Sequence, residues 1–110
     1  MRRDVIVPMA LAAAVLLLAI VPAGSQDRDG LPKRGEQLFV SQGCYGCHQV
    51  GKFGTPIGPD LSRVGAKYPV SYLTEWVRDP GSVRPSAHMP KLELSPEEVR
   101  ALAAYLASLK

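Results

Sequence analysis

The sequence predicts a small all-α domain of three to four helices, carried behind an N-terminal hydrophobic helix. Three observations point there. Apolar residues recur at helical spacing in separate segments, and the stretches between them are rich in Gly and Pro without the alternation that marks strands. Ser95-Pro96-Glu97-Glu98 opens the last segment as a capping box. Cys44-Tyr45-Gly46-Cys47-His48 reads C-x-x-C-H, the attachment pattern of a c-type haem, which gives the helices one covalently bound group to pack around.

The spacing of that motif follows from its chemistry. Two thiols separated by two residues reach the two vinyl groups on one edge of a porphyrin, and the imidazole of His48 then approaches the iron from one face. Gly46, lacking a side chain, lets the backbone come close to the ring. Two other readings of the cysteines compete. Zinc needs four ligands, and Cys44, Cys47, His48 and His88 are the only Cys and His residues available, at a spacing far from that of a finger. A dithiol redox pair has no use for His48 and belongs beside a strand-helix-strand pattern, which is not found here.

The chain has 110 residues. Met1-Arg2-Arg3 is a short positive start, and Val5 to Val21 then runs apolar and uncharged, interrupted only by Pro8. As a secretory signal, this segment offers a small-residue cleavage site at Val21-Pro22-Ala23. As an anchor, about 17 to 19 residues at ~1.5 Å each span roughly 26 to 28 Å, against a ~30 Å hydrocarbon core. The run exceeds the ~7 to 15 residues of a signal core, and Pro22 fits poorly beside a cleavage position, so a retained anchor is favoured. Arg2 and Arg3 stay in the cytoplasm by the positive-inside rule. Everything from about residue 24 then lies in the periplasm or on the outer face of the cytoplasmic membrane. Residues 1–23 form the hydrophobic segment, 24–32 a linker and 33–110 the domain.

A domain this short buries only about 60% of its unfolded surface and needs a staple. A covalent porphyrin supplies both staple and core, and consumes two thiols that an oxidising compartment would otherwise oxidise. Without Arg2, Arg3 and Asp4, the 13 basic and 10 acidic residues fall to 11 and 9. They are dispersed, with no basic cluster that would suggest nucleic acid as a partner.

The first helix of the domain is expected from about Pro32 to Gln42, with Pro32 in the first turn and Gly43 as the stop. Gly35, Leu38, Phe39 and Gln42 share one face, and a glycine inside a helix makes sense where another helix crosses closely. Gln49 to Val64 reads as loop. Within it, Pro59 stiffens Gly58-Pro59-Asp60-Leu61, so that a carbonyl there is held against the free nitrogen of His48, orienting the ring. Val70 to Asp79 is a second helix, stopped by Pro80, with Leu73, Trp76 and Val77 on its apolar face. The Trp76 indole N–H needs a partner, and a haem propionate supplies one. The final helix runs from the capping box to about Leu109, with Val99, Leu102, Ala103, Leu106 and Leu109 as its stripe and Tyr105 beside it.

Gly81 to Leu94 reads as a second loop, holding His88-Met89-Pro90. A thioether is a soft ligand suited to the second axial position of the iron, and Pro90 stiffens the loop that presents it. Imidazole also binds haem iron, so His88 competes. Neighbours in an extended segment point opposite ways, so one of the two faces the iron, and Met89 is favoured because a polar, Pro-rich loop gives a core methionine no purpose.

Together these residues resemble the class I cytochrome c family over most of Arg34 to Lys110. The resemblance rests on Gly35 and Phe39, Cys44 to His48, Gly58-Pro59-x-Leu61, Met89-Pro90, and Leu102 with Tyr105. It implies the small cytochrome c fold, with the first and last helices crossing near Gly35, Phe39 and Tyr105. It also implies one haem c per chain bound by Cys44 and Cys47, with Pro59 as the carbonyl partner of His48 and Met89 as axial ligand. The short interval from His48 to Met89 is similar to compact bacterial members. The stretches around Val64-Gly65-x-Lys67-Tyr68 and Asp79-Pro80 are also similar to haem c subunits of cbb-type oxidases and other membrane complexes. In that frame Arg63, Tyr68 and Trp76 reach toward the propionates.

The function so implied is one-electron transfer between membrane respiratory or photosynthetic complexes. The donor is a quinol-oxidising complex or dehydrogenase, and the acceptor a terminal oxidase or reductase. An iron filled by His48 and Met89 leaves no position for a small-molecule substrate, which argues against an enzyme. A fixed subunit of a larger oxidoreductase is the alternative. A gas sensor or peroxidase would require a displaceable axial ligand.

Overall fold

The structure, a computed structural model, describes residues 25–110. The hydrophobic segment expected over residues 1–23 lies outside the described residues, and no helix among those described is long and apolar enough to cross a membrane. Chain order is α1 (Ser25–Ser41), a 3-10 turn (Cys44–Gly46), a hairpin of β1 (Gln49–Val50) and β2 (Phe53–Gly54), then α2 (Val64–Lys67), α3 (Val70–Arg78), α4 (Pro80–Val83) and α5 (Pro96–Ser108). The class is all-α, as the sequence predicts. α1, α3 and α5 are the packing helices, while α2 and α4 are single turns.

The last helix is the common wall, with both α1 and α3 packed on it. Its stripe buries Val99, Leu102, Ala103, Tyr105 and Leu106 against Phe39 of α1, Val64 of α2, and Leu73 and Val77 of α3. The reason α1 comes so close is Gly35. A Cβ built there would overlap the Ala101 carbonyl and lie 2.6 Å from the Tyr105 Cβ. The aromatic part of the crossing is edge-on: Phe39 meets Tyr105 at 5.6 Å between ring centroids and Tyr45 at 4.7 Å. Such T-shaped pairs add ~0.5–1.5 kcal/mol beyond the area they bury.

Three local features depart from the sequence reading. α1 already covers Ser25 to Gly30, ahead of the start expected near Pro32, so helical backbone runs through most of the expected linker and Pro32 lies inside the helix. The Pro32 ring holds a helical φ, but inside the helix it removes one N–H donor from the ladder and crowds the carbonyl four residues back. The stretch from residue 49 is not wholly loop, since Gln49 pairs with Gly54 and Val50 with Phe53. Strands of two residues are too short to show alternation. Their signal is the turn, where Gly51 takes a φ of 59° at the first position of a two-residue connection. Finally, Pro80 is buried and starts α4, where the sequence suggests only a stop and a loop; Asp79, at φ −159°, separates it from α3.

The capping box at α5 is complete. The Glu98 backbone N–H donates to Ser95 Oγ at 3.2 Å, and the Ser95 N–H donates to Glu98 Oε1 at 2.9 Å. The Ser95 N–H, then the Ser95 hydroxyl and the Arg34 charge, hold the Glu98 carboxyl below its ordinary range. This contribution is present above the ordinary glutamate pKa and is lost as the pH falls. Ser95→Ala is expected to cost about 1 kcal/mol, readable as a Tm lowered by roughly 4–8 °C.

Tyr105 gives the opposite dependence. Burial first, then the neighbouring Tyr45 hydroxyl and the Glu36 charge, push its hydroxyl up to about 12. An unfolded tyrosine ionises near ~10. Stability that is fully present below the unfolded value is therefore lost as the pH rises toward the folded one. In alkaline unfolding, Tyr105→Phe should flatten the fall across that interval, and an unchanged slope would count against this burial.

Candidate functional site

The haem-attachment motif is built as a tight turn at the end of α1. Gly43 stops the helix at φ 75°, a left-handed conformation that glycine adopts without penalty. The chain then winds through the 3-10 turn, with Cys47 N–H and His48 N–H both donating to the Cys44 carbonyl, at 3.2 and 2.9 Å. Both thiols are free, Cys44 half-buried and Cys47 exposed. Nothing lies within 4 Å of a Cβ built at Gly46, which leaves the space that a closely approaching ring requires.

The segment after the motif folds back to fix His48. Gly58 N–H donates to the Cys47 carbonyl at 2.5 Å, Thr55 N–H to the His48 carbonyl at 3.3 Å, and Leu61 N–H to the Gln49 carbonyl at 2.9 Å. A Cβ at Gly58 would press on the His48 ring, 2.8 Å from Cε1. This return brings the Pro59 carbonyl to 2.8 Å from His48 Nδ1. A carbonyl can only accept, so Nδ1 carries the proton and Nε2 keeps its lone pair.

Asp60, read in the sequence only as part of the stiff turn, and Ser62, not singled out there, hold the return in place. Ser62 Oγ accepts from the Gly51 N–H of the hairpin turn, and the Ser62 N–H donates to Asp60 Oδ1, both at 2.8 Å. The Ser62 bonds keep the Asp60 carboxyl below its ordinary range. The signal was legible, since Asp-x-Ser after a proline is a side-chain-stabilised turn.

On the far loop the two competing ligands have different surroundings. His88 is exposed and Met89 half-buried. Met89 Sδ accepts from the Trp76 indole at 3.3 Å. The sequence reading placed that N–H on a propionate, and here it meets the thioether. The contacts thus gather Cys44, Cys47, His48 and Pro59 into one cluster behind α1, and Met89 with Trp76 into a second beside α3. α5 supports both helices.

The donor set fits haem better than its rivals. No group of three or more His, Cys, Asp or Glu side chains converges as a metal site among the described residues, so Cys44, Cys47, His48 and His88 do not form a zinc tetrahedron. A reactive dithiol needs a thiolate favoured at neutral pH, whereas burial, countered in part by a backbone hydrogen bond, pushes the Cys44 thiol up. What remains is one half-buried and one exposed thiol on a single turn, an imidazole nitrogen with a free lone pair, and a thioether on a separate loop.

Comparison with known proteins agrees with this arrangement. The family model for cytochrome c matches residues 32–110. The chain is 35% identical over 83 residues to cytochrome c-551 of Pseudomonas denitrificans, a match covering 69% of this chain and 98% of that protein. It is also 37% identical over 89 residues to cytochrome c oxidase subunit 2 of Alkalihalophilus pseudofirmus, covering 73% of this chain. The corresponding subunit from a Bacillus species is 33% identical over 101 residues. Of these two oxidase subunits the match spans only 26% and 27% of their length. A turn presenting Cys44, Cys47 and His48, a glycine-mediated crossing of its first and last helices, and a family match over the whole of that unit place this chain in the cytochrome c family.

Proposed function

We propose that the chain is a one-electron carrier working outside the cytoplasm, with one haem c held through Cys44 and Cys47 and with His48 and Met89 as axial ligands. The bound haem supplies a ferrous/ferric couple. The protein's own part is to orient and to enclose. The observation that carries this reading is the Pro59 carbonyl on His48 Nδ1, because it fixes the ring's tautomer and orientation and leaves Nε2 as the ligand atom. The half-buried Met89 beside the exposed His88 supports the thioether as the opposite ligand. Methionine on that side favours the ferrous state and raises the potential.

With both axial positions taken, the chain has no site for a small-molecule substrate, and its partners are redox proteins. A quinol-oxidising complex or a dehydrogenase donates, and a terminal oxidase or reductase accepts. The likeness to two oxidase subunits favours an oxidase as acceptor. It also supports a second reading, in which this domain serves as the haem c unit of a larger membrane oxidoreductase. The N-terminal segment would tether the domain to the membrane and raise its local concentration near such partners.

Two measurements test the reading. The ferrous protein should resist carbon monoxide at neutral pH; rapid binding would mean an open iron and a sensor or peroxidase instead. On extraction in mild detergent, a free carrier migrates alone, whereas a subunit migrates with its complex.

A further inference from the structure

A stack of three aromatic rings runs along α3 from the far loop to solvent. Tyr72 stacks on Trp76 at 6.3 Å between centroids and 21° between planes, and Tyr68 stacks on Tyr72 at 4.4 Å and 16°. Aromatic rings with centroids within about 7 Å are in contact. The inner end is half-buried at Trp76, which touches the Met89 thioether. The outer end is open, with Tyr68 41% exposed and the nearby Val70 51%. Core packing does not explain the outer rings, since Tyr72 only flanks the buried cluster and Tyr68 takes no part in it. The other aromatic group, Phe39 with Tyr45 and Tyr105, meets edge-on and ends in the core.

We propose that the Tyr68–Tyr72–Trp76 stack is a second electron port, coupling the Met89 side of the haem to a redox group placed against Tyr68. It is separate from the attachment edge at the exposed Cys47. The inference rests on the electron-carrier reading and the Met89 ligation argued above. Electron tunnelling falls off more steeply across gaps than through touching atoms, so a continuous stack carries it better than solvent or a loose loop. Each exchange moves one electron from ferrous iron to an oxidised group of the partner, which is reduced by that one electron. No bond breaks, no proton moves, and the rings return unchanged. With two ports, a donor and an acceptor can address the domain at separate places without exchanging positions.

The test uses the haem-loaded, full-length protein. With both native cysteines in the proposed thioether bonds, Lys67→Cys supplies a single thiol for a ruthenium polypyridyl photo-oxidant beside Tyr68. Lys52→Cys carries the same label in the hairpin turn, away from the stack. After flash oxidation of the label, Tyr72→Leu should slow oxidation of the ferrous iron severalfold from the label beside Tyr68 and leave it unchanged from the hairpin. Tyr72→Phe keeps the ring and should retain the parent rate. In the ferric protein the label should instead take an electron from Tyr68, whose phenol proton passes to water. Electron paramagnetic resonance should then find the radical spread to Trp76 in the parent and confined to Tyr68 in Tyr72→Leu. Equal rates in parent and Tyr72→Leu from the label beside Tyr68 would overturn the proposal. So would equal slowing from both labels, which marks a general disturbance of the domain. If neither label oxidises the iron of the parent, the electron-carrier reading fails; if the hairpin label works and the other is indifferent to Tyr72, this inference fails alone.

Discussion

Met89→Ala should leave the haem attached and lower its reduction potential by at least about 0.1 V, a fraction of the ~0.8 V over which axial ligands act. The proposed attachment is through Cys44 and Cys47, which this substitution does not touch. The potential falls because the thioether's preference for ferrous iron is gone. The far side of the iron then opens, so the ferrous variant should bind carbon monoxide quickly where the parent does not. The matched control is His88→Ala, expected to leave potential and spectrum alone because His88 is exposed and Met89 is the half-buried neighbour. If His88→Ala gives the large effect and Met89→Ala none, the ligand assignment is reversed.

Gly35→Ala should be the most destabilising single methyl added to α1. Its Cβ would sit 2.6 Å from the Tyr105 Cβ and on the Ala101 carbonyl, and the Ala101 side of that clash is backbone that cannot swing aside. Overpacking costs about 1–3 kcal/mol and sometimes more, and here the upper end applies. At about 3 kcal/mol the Tm falls by roughly 12–24 °C for a domain of this size. Gly30→Ala supplies the contrast. It is in the same helix with nothing within 4 Å of the added carbon, so it should stabilise by up to about 1 kcal/mol through helix propensity alone. Equal effects at the two positions would contradict the helix crossing.

These two substitutions also mark how far the residues could be read before the fold was known. Gly35 was legible because a glycine inside an amphipathic helix is locally unfavourable, and the cost implies a close neighbour. The capping box and the Cys44 to His48 motif were legible for a similar reason, since each is a fixed spacing with one dominant chemical use. The Pro59 carbonyl was readable only in the company of that motif, as Gly58-Pro59 alone is an ordinary turn.

What escaped was set by contacts between distant segments. A second close approach joins α2 to the end of α5, where Gly65 N–H donates to the Leu109 carbonyl at 2.7 Å and a Cβ at Gly65 would overlap the Ala107 carbonyl. Gly65 lies in a four-residue turn, too short to show the periodicity that made Gly35 conspicuous. The Trp76 donor was expected to need an acceptor, but a sulfur on a loop beyond α4 is not encoded by any local spacing. The helical turns of α1 ahead of Pro32 escaped for the opposite reason, because they are polar and give no pattern for a helix to announce.

The proposed electron transfer depends on a haem bound covalently to the chain, and intact mass under denaturing conditions tests that bond most directly. For protein made alongside a working haem-maturation system, the account predicts a coloured chain heavier by one haem that acid extraction does not remove, the group lost only when both Cys44 and Cys47 are replaced. A colourless chain, an extractable haem or a bound zinc ion would contradict it.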